Sequence, residues 1–134
     1  MNNAVLVDTD AFFAIIEDCD SNHEKALKII ESLKPSATFT LLETTVAEAA
    51  TTLHRKSNKA SSLKFLKYIK REGFSVFFTD STLLSLAETY YLKQHSKKNT
   101  FFDCLVMAAA KTYKVDAIFS FDKGYKTNGF KLLG

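Results

Sequence analysis

The chain has 134 residues, 46% of them hydrophobic, with twelve Phe, one Pro, two Cys and a net charge of +3. That is the size and apolar content of one α/β-sized domain with a sizeable core, so residues 1–134 are read as a single domain. It excludes a repeat array and a low-complexity linker, and no apolar run approaches the roughly 20 residues a membrane span requires.

Ala4–Val7 predicts a short buried strand, followed by a helix over Asp10–Glu17. Two carboxylates, Asp8 and Asp10, interrupt the otherwise almost unbroken apolar run NAVLVDTDAFFAII. Such a placement is costly unless something compensates the charge. The start of the chain lacks a basic stretch ahead of an apolar one, so no signal peptide is expected. Cys19 and Cys104 lack metal-type spacing and are expected as free thiols of a reducing, cytoplasmic compartment.

Asn22–Leu33 predicts a second helix, with Ala26, Leu27, Ile29, Ile30 and Leu33 on one side, Ser21 or Asn22 as cap, and Pro35 after its end. Ala37–Thr40 is the second strand. Glu43–Lys56 and Ala60–Arg71 are helices broken apart at Ser57-Asn58, the second closed by Gly73. FSVFF (74–78) is the third strand, and Asp80 or Ser81 caps a helix to about His95. Thr100 precedes a helix over Phe101–Tyr113, AIFSF (117–121) is the fourth strand, and FKLL (130–133) a fifth after the Asn128-Gly129 turn. Strands separated by helices imply an α/β/α sandwich around a mostly parallel sheet of four to five strands. Ligands of such sheets bind outside the carboxyl ends of the strands.

Two acids stand at those ends: Asp8 after the first strand and Asp122 after the fourth. Asp116 lies at the opposite end of the fourth strand, about 20 Å away at ~3.3 Å per residue, and reads as a strand-entry residue. Glu48 in TTVAEAATTL and Asp103 in TFFDCLVMAAA are single charges in otherwise apolar helices. Taken alone, Asp103 is explained by the dipole of its first helical turn, and Glu48 by an exposed position on an Ala-rich helix. As a set of four they fit hard-oxygen ligation of Mg²⁺ or Mn²⁺, since clustered carboxylates repel one another without a cation. His23, His54 and His95 are scattered, which leaves no zinc pattern.

The four segments VLVDTDAFFA, TTVAEAATTL, TFFDCLVMAAA and IFSFDKGY, in that order and spacing, resemble the PIN-domain family over essentially the whole chain. DSNHEKA (20–26) resembles the family's approach to its second helix. The resemblance implies an α/β sandwich and a Mg²⁺- or Mn²⁺-dependent ribonuclease whose acidic set falls on Asp8, Glu48, Asp103 and Asp122. Thr9 matches the small residue after the first Asp, and Ser120 a frequent hydroxyl position before the last. Asp10 either supports the site from behind the ligands or caps its helix. Glu43 competes with Glu48 for the mid-chain role. It stands at the strand-to-helix junction, where capping explains it, whereas the helix can aim Glu48 back over the sheet edge. Single-domain chains of this size resemble VapC-type toxins, which implies an antitoxin partner, a homodimer and an RNA target such as tRNA or rRNA.

In the mechanism this implies, metal-activated water attacks phosphorus, Asp122 is the candidate to orient that water, and a 5′-phosphate and a 3′-hydroxyl result. An acidic site repels RNA, so a basic surface must hold the strand. Without Asp8, Asp10, Glu48, Asp103 and Asp122 the chain has eighteen basic against ten acidic side chains, an excess of +8. Candidates are Arg55, Lys56 and Lys59, then Lys97 and Lys98, then Lys123. Residues 54–71 carry seven Lys/Arg and no acid, which fits a solvated helix face as well as a phosphate surface. Lys64, Lys67 and Lys70 are read as the solvated kind, Phe65 as core and Tyr68 as a stacking candidate. The helices around 26–34 and 53–71 are candidate surfaces for the dimer or antitoxin. Two rivals remain open: a non-catalytic module of the same fold, and a phosphatase, since VLVDTDAFF also resembles the strand-Asp-x-Asp start of haloacid-dehalogenase-type enzymes.

Overall fold

The computed structural model describes residues 3–134. In chain order the elements are β1 (Asn3–Val7), α1 (Thr9–Ile16), α2 (His23–Leu33), β2 (Ala37–Leu42), α3 (Glu43–Lys56) and α4 (Lys59–Arg71). Then follow β3 (Ser75–Phe77), α5 (Ser81–Leu92), α6 (Phe101–Thr112), β4 (Ala117–Phe119), α7 (Gly124–Thr127) and β5 (Leu132–Leu133). The strands form one sheet in the order β3-β2-β1-β4-β5. Every neighbouring pair is parallel, so the expected sandwich holds with a sheet that is parallel throughout.

The period of two along β1 divides the core. Val5 and Val7 face one layer, packed with Phe12, Ile30, Leu53 and Phe65 from α1 to α4. Leu6 faces the other, with Leu83, Met107 and Tyr125 from α5, α6 and α7. Phe12 and Phe65 are fully buried and meet edge to face at 4.9 Å. Truncating either to Ala removes ~3–5 kcal/mol. The alanine run Ala108–Ala110 is buried and lets α6 lie close to the sheet and to α5. Among the described residues, no helix is long and apolar enough to cross a membrane.

The sheet order also locates the cleft. From β1 the chain steps outward through β2 to β3, then returns to the other side of β1 as β4. The adjacent carboxyl ends of β1 and β4 therefore face loops that leave in different directions, which opens a crevice between them. The Asp8 N–H donates to Phe119 O at 3.0 Å and locks these two ends together. At the far end of the sheet, Asp116 accepts from Ala4 N at 2.6 Å, as a strand-entry residue should.

Several local expectations change. α5 stops at Leu92, short of His95, and a turn over Lys93–Gln94 follows. The four-residue helix α7 over Gly124–Thr127 is an element the sequence did not predict, and the expected Asn128-Gly129 turn follows it, with Gly129 at φ 90°. Leu27 is exposed, because the buried stripe of α2 runs through Ala26 and Ile30. Asn22 holds the N-cap position of α2 without a side-chain cap bond, and instead its N–H donates to Asp20 Oδ1 at 2.8 Å. Tyr68 is buried, packed on Phe74, and thus unavailable for stacking on a base. Phe65 is core, as expected. Asn58 caps α4 by accepting from Ser61 N, and Gly73 takes the left-handed conformation (φ 71°) that ends it.

Candidate active site

Four separate segments converge on the crevice. Asp8 ends β1 and is buried. Glu48 comes from α3, where Thr45, Ala49 and Leu53 turn inward. The adjoining stripe of the same helix, Glu48, Thr52 and Lys56 at i, i+4 and i+8, lines the cleft. Asp103 stands in the first turn of α6, and Asp122 follows β4. With Asp10 and Asp20, these acids line a cleft of about 410 Å³ in which, among the described residues, Lys56 is the one cationic side chain.

Each carboxylate is aimed by an identifiable bond. Thr100 and Asp103 form a reciprocal capping box: Thr100 N donates to Asp103 Oδ2 at 2.8 Å, and Asp103 N donates to Thr100 Oγ1. That fixes the rotamer and turns Oδ1 toward Tyr125 Oη, 3.3 Å away. The same buried phenol donates to Asp8 Oδ2 at 2.6 Å. One proton therefore stands between two carboxylates, with the shorter contact to Asp8. Thr9 Oγ1 donates to Glu48 Oε1 and ties α1 to α3. Asp122 Oδ1 accepts from Gly124 N at 2.9 Å, and a Cβ on Gly124 would run into the Asn99 side chain.

Ser120, completely buried, is the hinge of this arrangement. Its Oγ accepts from Asp122 N at 3.0 Å and has one proton to donate, with Asp10 Oδ1 nearest at 3.0 Å and Asp8 Oδ2 at 3.5 Å. Asp10 Oδ2 also accepts from Phe121 N at 3.1 Å. Asp10 thus reaches across to the β4 loop and does not cap its own helix.

The electrostatics follow from burial. Asp8 is pushed up from 3.8 to about 8, first by loss of water and then by the charge of Asp10, against the opposing bond from Tyr125. Burial also raises Asp10, Glu48 and Asp103, with like charge adding to each. Tyr125 is held well above its usual range by burial and by Asp8 and Asp103, so it stays a protonated donor. These groups are poor anions in the bare protein, and a cation among them reverses that. The donor set is all oxygen, from carboxylates and hydroxyls, which suits a hard divalent ion and not zinc. Among the described residues, no three acid, His or Cys side chains already close on one point as a ligand cage. The carboxylates are instead held around the cleft by Tyr125, Ser120, Thr9 and backbone N–H groups.

Sequence reasoning missed three contributors. Asp20 and Thr52 line the cleft, and Tyr125 bridges two of its acids. Asp20 was within reach through the DSNHEKA segment. Thr52 follows from Glu48 by helical spacing, but Tyr125 needs the fold of α7. The rival acid Glu43 is engaged elsewhere: its carboxylate accepts from Thr79 N at 2.7 and 3.1 Å, anchoring the loop after β3. It therefore acts as a tether and not as a cap. Of the six basic candidates only Lys56 lines the acidic cleft. Lys123 lines a neighbouring groove and Lys97 a separate one beside Tyr91 and Phe101. Arg55, Lys59 and Lys98 are exposed and line none of these three clefts.

A PIN domain family model matches residues 5–131. No curated protein matches the chain significantly. Among solved structures, the chain is similar to the Mycobacterium tuberculosis toxin VapC20, described as cleaving the sarcin–ricin loop. The TM-score is 0.85 at 17% identity, over 94% of this chain and 95% of that one. It is also similar to FitAcB of Neisseria gonorrhoeae (TM-score 0.72, 17% identity, covering 97% and 96%). A third match is VapBC2 of Rickettsia felis bound to a promoter DNA fragment (TM-score 0.71, 13% identity, 97% of both chains). At these identities the likeness is one of fold.

Proposed function

This chain belongs to the PIN domain family, and from that premise we propose that its acidic cleft is the centre of a Mg²⁺- or Mn²⁺-dependent endoribonuclease, the toxin of a toxin–antitoxin pair. The observation that carries the reading is the gathering of Asp8, Asp10, Glu48, Asp103 and Asp122 on one cleft with a single lysine. Burial and like charge raise the carboxyls of Asp8, Asp10, Glu48 and Asp103 and cost stability, a poor arrangement for a structural site and a suitable one for a hard cation. That cost also disfavours the module that only binds. The family match favours this reading over the phosphatase one, in which Asp8 would be a nucleophile. The similarity to an RNA-cleaving toxin supports RNA as substrate, rRNA included, and the similarity to FitAcB and VapBC2 supports a protein antitoxin.

Asp8, Glu48, Asp103 and Asp122 are the residues that would hold the ion. When bound, it supplies neutralising charge and a water of lowered pKa. Tyr125 keeps the Asp8 and Asp103 carboxylates at a fixed separation and turned into the cleft. Ser120 and Asp10 hold the Asp122 loop against β1, so that Asp122 faces the cleft. Thr9 orients Glu48. Lys56, reaching down from α3, is placed to bind a phosphate of the strand that lies over the acids. Arg55 and Lys59, near it in sequence, extend that basic edge. A homodimer belongs to the same reading.

The direct test is to incubate the pure protein with a mixed tRNA and rRNA pool with Mn²⁺, with EDTA, and as the Asp8→Asn and Asp103→Asn variants. Cutting that requires both the ion and the carboxylates is the expected result, and end-labelling then shows a 5′-phosphate. RNA binding without cutting, equal in wild type and variants, would leave the binding module.

A further inference from the structure

Beside the acidic cleft lies a groove of about 560 Å³ lined by Lys25, Lys123, Lys126 and Lys131 together with the rings of Phe121 and Phe130, and by no acidic side chain. We propose that this groove is a nucleotide subsite that holds the single-stranded RNA running out of the cleft, its lysines on phosphates and its phenylalanines under bases. The inference rests on the nuclease reading and adds where the strand goes.

Three observations carry it. The first is continuity. Phe121 N bonds to Asp10 inside the cleft at 3.1 Å, and Asp122 of the cleft lies between Phe121 and Lys123 of the groove. A strand with one phosphate over the carboxylates meets the groove next. The second is charge. All four lysines are exposed, and their sign is opposite to that of the cleft alongside, which supplies the attraction an acidic centre lacks. They come from α2, from the segment around α7, and from the approach to β5, so no single helix face accounts for them. The third is the rings. Phe121 packs edge-on against Phe119 at 5.9 Å, and the Lys25 ammonium stands 5.8 Å from its centroid. The same ammonium donates to Gly134 O at 3.1 Å, and the ring face beneath it is one that a base can take instead. Lysines interleaved with half-buried aromatic rings favour nucleotides over an acidic peptide, which has no need of the rings.

The test measures binding and not cleavage. The full chain carrying Asp103→Asn is titrated, in EDTA, against a labelled single-stranded RNA of about twelve nucleotides. Lys126→Gln with Lys131→Gln is expected to weaken binding about tenfold and to flatten the slope of log K against log salt by ~1.4, or ~0.7 per lost phosphate contact. Phe121→Leu is expected to weaken it ~5-fold with the slope unchanged. Lys64→Gln with Lys67→Gln, an equal charge loss on the exposed side of α4, is the control and should change binding less than about twofold. Melting curves establish that all variants fold. Equal weakening by both lysine pairs overturns the subsite, because only net charge would then matter. So does an Asp/Glu-rich peptide that binds the groove tightly and indifferently to Phe121. If the nuclease reading alone fails, wild type cuts nothing while the slope still falls. If the subsite alone fails, wild type cuts and the slope stays put.

Discussion

The two ends of the sheet treat charge in opposite ways. At the amino ends of the strands, Glu72 meets Lys34 at 2.6 Å and Arg71 at 3.5 Å, and Lys34 also meets Glu31. There the bond from Lys34 draws the Glu72 carboxyl below its usual value. At the carboxyl ends, six Asp and Glu side chains line the cleft with one lysine among the described residues, and burial pushes Asp8 up to about 8. One end is balanced and inexpensive, while the other holds carboxyls without cationic partners, which burial makes reluctant to ionise. Pairing distinguishes the acids that stabilise the fold from those of the proposed centre.

The strongest way to break this comparison is to remove a carboxylate from the unbalanced end. Asp8→Asn or Asp103→Asn should lower RNA cleavage on the order of 10³-fold, as loss of a preorganised electrostatic group does. Asp8→Asn should also leave the metal-free protein as stable or more so, since folding no longer has to hold a proton on a buried carboxyl. Residual cleavage above a tenth of wild type in either variant would remove these residues from the centre.

A subtler cut is Tyr125→Phe. It deletes the hydroxyl that bridges Asp8 and Asp103 while keeping the ring in the core. Mn²⁺ affinity, read by calorimetry, should fall about 10–100-fold, the usual cost of losing a group that orients ligands. Unchanged affinity would reduce Tyr125 to packing.

Adding the ion should reverse the imbalance. At a hundredfold excess over Kd, Mn²⁺ should stabilise wild type by about 2.7 kcal/mol, or roughly 10 °C in Tm for a domain of this size. Asp8→Asn should abolish most of that gain. A rise in Tm that the variant retains would place the ion elsewhere.

The sign of the pH response separates the two ends. Asp8 in the folded chain keeps its proton to about 8 against an ordinary 3.8, so between those values the folded state binds more protons than the unfolded one. Metal-free stability should therefore fall by up to a few kcal/mol as pH climbs from about 4 to about 8, and Asp8→Asn should flatten that decline. Glu72 runs the other way. Its pKa is lowered, so its contribution is present above the ordinary 4.5 and is lost as pH falls through the folded value. Glu72→Gln should give the smallest effect of all, a slight loss of Tm that vanishes in 1 M salt and leaves cleavage unchanged.

Much of this was legible from the residues alone. Asp8 and Asp122 announced themselves by following apolar strand-like runs, and strand ends are where such sheets place ligands. Glu48 and Asp103 were legible as charges out of step with apolar helices. Asp103 serves its helix and the cleft at once: Oδ2 closes the capping box of the first turn and Oδ1 faces Tyr125. Glu43 shows the limit. Its partner Thr79 is thirty-six residues away, and no local pattern encodes a bond at that separation. Tyr125 is the same case, since its contact with Asp8 spans the chain and requires α7, a helix of one turn that no periodic pattern announces. Tyr68 failed for the opposite reason, because its neighbours Lys67 and Lys70 are exposed and only the ring turns inward. The basic surface was the least legible, since lysine spacing does not say which cleft a lysine borders.

The central position of β1 has a consequence for timing during synthesis. Asp8 is made among the first residues, but its neighbours in the sheet order are β2 and β4, and Ser120 and Asp122 arrive more than a hundred residues later. Until β4 has been translated and has docked on β1, Asp8 has neither its hydroxyl partners nor the opposite wall of its crevice. A growing chain therefore holds no assembled centre until β4 has been made and paired with β1. For a molecule whose proposed work is to cut RNA, the strand order itself delays the danger until the fourth strand is in place.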